Sequence, residues 1–185
     1  MLISDSYRAE IERLIEEIGA LDRSFADYSY EVGEPNPAVD PTQDDVDASS
    51  AVVVALETRQ NEMRERLPEL ADMRTTMGFY LGNMAGAANG AVGALRSGDD
   101  NGLAEAALAD LQSLQERATD AQQTLTAYIT EFTAAEQLLT QLLDHWRTAL
   151  GKIEHDLQWQ AYVADRFGVT DNPRKSAEPP EALAA

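Results

Sequence analysis

From Leu103 to Phe167 apolar side chains recur at alternating steps of three and four: Ala104, Ala107, Leu111, Leu114, Ala118, Ala121, Leu125, Tyr128, Phe132, Ala135, Leu139, Leu142, Trp146, Ala149, Ile153, Val163 and Phe167. Only Asp156 and Gln160 interrupt the series. A 3.5-residue period of this length predicts one long coiled-coil helix over 103–167, reaching roughly 100 Å at 1.5 Å per residue. One narrow apolar stripe on so long a helix needs a partner, and the rest of the chain must supply it.

Two further stretches share the period. Tyr7, Ile11, Leu14, Ile18, Leu21, Phe25 and Tyr28 predict a first helix over about 4–31, capped by Ser4 or Asp5. Gly33, Pro35, Pro37 and Pro41 then predict an extended acidic loop from Val32 to Thr42. A second helix over about 44–96 keeps phase through Val53, Leu56, Gln60, Met63, Leu67, Leu70, Arg74, Met77, Leu81, Met84, Ala88, Ala91 and Leu95. Phase survives across Pro68, which therefore reads as a kink within one helix. Gln60 and Arg74 are the polar residues of this seam, a placement that fixes register or partner choice.

The connection Arg96–Gly102 carries Gly98 as a helix stop and Asp99 or Asp100 as the next cap. So short a connection folds the second and third helices into an antiparallel hairpin, with residue i opposite residue 198 − i. Leu70 then meets Tyr128 and Met63 meets Ala135. The first helix is expected beside residues 45–72, making a three-helix base from which a two-helix stem projects. Phe25, Tyr28 and Tyr30 would there gather near Trp159, Tyr162 and Phe167. The expected fold is all-α, one elongated domain over 1–168. The tail 169–185, with three prolines and no period, is expected to be disordered.

Charge narrows the function classes. The 185 residues carry 33 acidic against 14 basic side chains, a net charge of −19, which opposes nucleic acid and anionic lipid as partners. Residues 1–47 hold 13 acidic and three basic residues, so about half of the excess lies on the first helix and its loop. There is no cysteine, hence no disulfide framework and no thiolate metal site. Asp5, Arg8 and Glu10 break any secretory-signal pattern at the N-terminus. Cytoplasm is the default location, with signal-independent export or incorporation into a particle left open.

Catalytic constellations are sparse. His145 and His155 lie ten residues apart on one helix, off a shared face, and the Glu-x-x-His spacing of di-iron bundles is absent. Asp40 to Asp47 lacks the central glycine and closing glutamate of a calcium loop. No catalytic residue, metal ligand or cofactor is assigned, and the chain reads as a non-enzyme.

The unusual motif lies near the apex. The nineteen residues Met77 to Leu95 carry no charge, and Gly78, Gly82, Gly86 and Gly90 repeat at every fourth position, off the predicted seam. Glycine in a helix interior costs about 1 kcal/mol relative to alanine, a cost that close approach of another backbone would offset. Small-xxx-small repeats pack helices in this way. In joining a long coil to a glycine-rich apolar tip the chain resembles helical pore-formers and secretion translocators. The Trp-x-Gly turn of small type VII secreted hairpins is missing. The reading is a structural or assembly protein whose glycine face (Gly78, Gly82, Gly86, Gly90) joins copies of itself or a helical partner. The alternative is a membrane-active hairpin that inserts residues 77–95.

A net charge of −19 repels itself and is screened by salt. The melting temperature followed by circular dichroism is therefore expected to rise from low to moderate sodium chloride, and a flat response contradicts the charge argument.

Overall fold

The computed structural model describes residues 2–26, 32–36, 40–97 and 101–168. The predicted turn residues Gly98, Asp99 and Asp100, the aromatics Tyr28 and Tyr30, and the tail 169–185 lie outside them. The described residues form helices and no strand: α1 (Asp5–Gly19), a short 3₁₀ turn (Ser24–Ala26), α2 (Gln43–Ser97) and α3 (Asn101–Phe167). The protein is an all-α helical hairpin in which α2 packs antiparallel on α3.

Local chemistry sets the ends. The Ser4 hydroxyl accepts the Tyr7 amide at 3.3 Å and caps α1. α1 stops at Gly19, twelve residues short of the expected end, because Asp22 takes over the backbone. Its carboxylate accepts the Ser24 amide at 2.8 Å and the Ser24 hydroxyl at 2.7 Å, a local turn that competes with helix. α2 opens on a capping box. The Thr42 amide and hydroxyl donate to Asp45 at 2.8 and 2.7 Å, while the Asp45 amide donates back to the Thr42 hydroxyl at 3.4 Å. The Thr42 hydroxyl and amide together hold the Asp45 carboxyl below the usual carboxylate range. Pro68 lies inside α2 with its ring exposed, and the helix continues through it.

Contacts divide the chain into two compact units. The first joins Met1–Tyr28 with Asn61–Gln137. In it α2 contributes Met63, Leu70, Met77, Met84 and Ala91, every seventh residue, to the core. α3 answers with Leu111, Leu114, Ala118, Ala121, Leu125, Tyr128 and Phe132, all on the predicted stripe. Arg64 Nε meets Glu136 at 3.0 Å, two residues on from its predicted partner.

α1 belongs to this unit and buries Ile11, Leu14 and Ile18. This corrects its expected position beside residues 45–72. Tyr7 packs edge-on against Tyr80 with centroids 5.0 Å apart, its hydroxyl accepts from Asn83 at 2.7 Å, and Tyr80 donates to Glu10 at 3.0 Å. α1 thus runs antiparallel to α2. It runs parallel to α3, where Arg8 pairs with Asp110 and Glu12 with Arg117. The expected placement assumed the shortest return path from α1 to α2. The connection from residue 20 to 42 is instead long enough to leave α1 further along the hairpin, where its charges find partners on α3. Phe25 accordingly packs on Tyr128 and Phe132, with centroids 5.2 and 4.9 Å away, and not beside Trp159. The Tyr128 hydroxyl closes this corner by donating to the Asp22 carbonyl at 2.8 Å.

The second unit joins Ser29–Gln60 with Leu138–Ala185. Val53 and Leu56 of α2 and Leu139, Leu143, Ala149, Ile153 and Val163 of α3 are its buried apolar side chains. Leu143 lies outside the predicted stripe, and Leu142, within it, is half-buried. The stripe broadens because the face also covers a third segment: the Trp146 indole donates to the Gly33 carbonyl at 3.3 Å, and Pro41 is buried. Trp159 and Tyr162 stack on each other with centroids 5.6 Å apart and stay largely exposed.

Leu138 and Leu139 are adjacent and oppositely placed, at 56% and 3% exposure. Leu139→Ala is expected to cost about 2–5 kcal/mol in urea unfolding, and Leu138→Ala about 0.5 kcal/mol or less. Equal losses contradict the register.

Candidate functional site

Two surfaces stand out, an open glycine face on α2 and a cleft between α1 and α2. On α2, Gly82, Gly86 and Gly90 are exposed, and a methyl group built on any of them meets nothing within 4 Å. Gly78 is half-buried, and the same methyl group would lie 3.4 Å from the Gln122 side-chain nitrogen. The stripe therefore begins at the edge of the α2–α3 contact and winds into open space. Phe79 lies beside it, 63% exposed. None of the four glycines has a positive φ, so helix geometry alone does not demand glycine here.

The two polar seam residues part company. Gln60 is 7% exposed and donates from Nε2 to the Thr140 hydroxyl at 2.7 Å, a satisfied polar contact inside an apolar layer. Thr140 was not legible as its partner, because the expected register places Gln60 opposite Leu138. Arg74 is exposed, so its seam position buries no charge.

The cleft was missed by sequence reasoning. Its upper part, about 320 Å³, has walls of Glu10, Arg13 and Glu17 on α1 and Glu69, Asp72 and Thr76 on α2, around Leu14, Met73 and Tyr80. Its lower part, about 530 Å³, shares Glu17 and Met73 and continues past Leu21 to Tyr128. At the upper end, burial and the hydrogen bond to Glu10 raise the Tyr80 phenol above its ordinary value. The basic residues present pair within their own helices, Arg13 with Glu17 and Arg66 with Glu69.

Among the described residues no group of three or more His, Asp or Glu is arranged to hold a metal. His145 and His155 are exposed, and His155 Nδ1 lies 3.6 Å from its neighbour Asp156. Among the described residues no helix is long and apolar enough to cross a membrane. No protein-family model, no curated protein and no solved structure matches the chain.

Because a methyl group at Gly82 or Gly86 meets only open space, Gly82→Ala and Gly86→Ala are each expected to raise unfolding stability by up to about 1 kcal/mol. Chemical denaturation followed by circular dichroism measures this. A loss at either position contradicts the open environment described for it.

Proposed function

We propose that the protein is a non-enzymatic structural or assembly protein that joins copies of itself through the glycine face of α2. The observation that carries this reading is the run Gly82, Gly86, Gly90, open to solvent within an uncharged stretch of nineteen residues and flanked by exposed Phe79. Four glycines forgo roughly 3–4 kcal/mol of helix propensity relative to alanine. Among the described residues nothing repays this at Gly82, Gly86 or Gly90. A helix from a second copy approaching that surface gains close backbone contact that a bulky side chain would prevent.

Propensity and packing are separated by comparing two double variants. Gly82→Ala/Gly86→Ala keeps the surface nearly smooth, whereas Gly82→Leu/Gly86→Leu raises propensity and blocks close approach. The leucine pair is expected to lower the mass found by multi-angle light scattering while the helical signal is retained, and the alanine pair to keep most of the assembly. A parent protein that is monomeric at all concentrations, or a leucine variant of unchanged mass, would falsify the proposal.

A further inference from the structure

In a chain of 33 acidic against 14 basic side chains, cations readily find carboxylates, and seven of the described arginines are so paired. The end of α3 departs from this. Lys152, His155, Trp159, Tyr162 and Arg166 follow one another at steps of three and four and are all exposed. At 3.6 residues per turn they share one face of about 80°. No acidic residue between Lys152 and Arg166 falls on that face: Glu154 and Asp165 lie on other sides of the helix, and half-buried Asp156 sits towards the seam, 3.6 Å from His155 Nδ1. Among the described residues neither Lys152 nor Arg166 enters an ion pair. Midway between them the Trp159 and Tyr162 rings stack on each other and remain 51% and 52% exposed. Apolar ring surface is thus bracketed by two unpaired cations about 21 Å apart along the helix.

We propose that this stripe of α3 docks an acidic amphipathic helix of another protein, its aliphatic side chains on Trp159 and Tyr162 and its carboxylates, about four turns apart, on Lys152 and Arg166. The assignment rests on charge complementarity and on the uncovered rings. A helix laid along the stripe presents aliphatic anchors at the same steps of three and four, and aromatic and arginine side chains are the ones that anchor such contacts. The stripe of a second copy is a poor occupant. A two-fold axis through Trp159 sets Lys152 of each copy against Arg166 of the other, like charge on like. Nucleic acid and anionic membrane extend their dense charge past the stripe onto a chain of net charge −19. A short helix ends where the stripe ends, and repulsion from more distant carboxylates is screened within about 8 Å at physiological salt. The stripe is on α3 and the glycine face on α2, so the two readings fail separately.

The probe is a fluorescein-labelled amphipathic helical peptide of glutamate, leucine and alanine, titrated by anisotropy against the full chain in near-physiological salt, with a scrambled peptide of identical composition alongside. Lys152→Gln/Arg166→Gln removes the two cations of the stripe. Arg74→Gln/Arg96→Gln removes two exposed cations of α2 and serves as the control. Trp159→Ala/Tyr162→Ala removes the rings. The stripe pair is expected to weaken binding about tenfold and the control pair less than about twofold, as exposed charge contacts allow. The ring pair is expected to weaken the amphipathic peptide about tenfold or more and leave the scrambled one unchanged. Because all the substituted side chains are exposed, the helical signal by circular dichroism is expected to persist in each variant. Absence of saturable binding to the parent chain, equal loss in the stripe and control pairs, equal binding of the scrambled peptide, or an unaffected ring variant would each overturn the assignment. So would tighter binding of a single-stranded oligonucleotide or of phosphatidylserine vesicles than of the peptide.

Discussion

The apolar contact between α2 and α3 is the constraint on which the other features depend. Neither helix could persist alone in water at such length with one greasy stripe, because helical stability in proteins comes from packing an amphipathic face more than from propensity. Met63, Leu70, Met77 and Met84 repeat on α2 at seven-residue intervals, and Leu111, Leu125 and Phe132 lie within the facing stripe of α3. Each buried side chain of this size contributes about 1.5–3 kcal/mol. Half-buried Thr119 and Thr133 on α3 turn their hydroxyls back onto their own helix, each donating to the carbonyl four residues earlier.

On that platform α1 is held by a modest hydrophobic stripe and steered by charge. Exposed ion pairs contribute little stability individually, about 0–1 kcal/mol each. Their value lies in excluding other arrangements: Arg8, Glu12 and Arg23 all meet opposite charges on α3 in the observed alignment. The same alignment sets Tyr7 against Tyr80 and the Tyr80 hydroxyl on Glu10 towards α2. Ion pairs on one seam and an aromatic, hydrogen-bonded contact on the other thus follow from a single choice of face.

How much of this the sequence could reveal depends on the range of the interaction. Periodicity is local and strong, so α2 and α3 were legible to within two residues at each end, as was the glycine stripe lying off their contact. The position of α1 was not, because Ile11, Leu14 and Ile18 define a face but carry no address along the hairpin. The address lies in Tyr7 with Tyr80 and in Arg8 with Asp110, residues that read as ordinary polar surface until the helices are brought together. The cleft inherits this difficulty, since its two walls come from elements more than fifty residues apart. The early end of α1 was partly readable in Gly19 and in Asp22 followed by Ser24, but seven apolar positions in heptad phase outweighed that signal.

The separation between α1 and its partners has a consequence during synthesis. Arg8 waits for Asp110, and the Asp22 carbonyl for Tyr128, contacts spanning 102 and 106 residues. At translation rates of about 5–20 residues per second, α1 leaves the ribosome on the order of ten seconds before the surface that receives it exists. Through much of that interval α1 can meet only α2, so Ile11, Leu14 and Ile18 lack their full native cover. The heavy negative charge of α1 and the residues that follow it, thirteen acidic side chains against three basic ones over 1–47, then acts as a kinetic safeguard, keeping nascent chains on neighbouring ribosomes apart until α3 has been made.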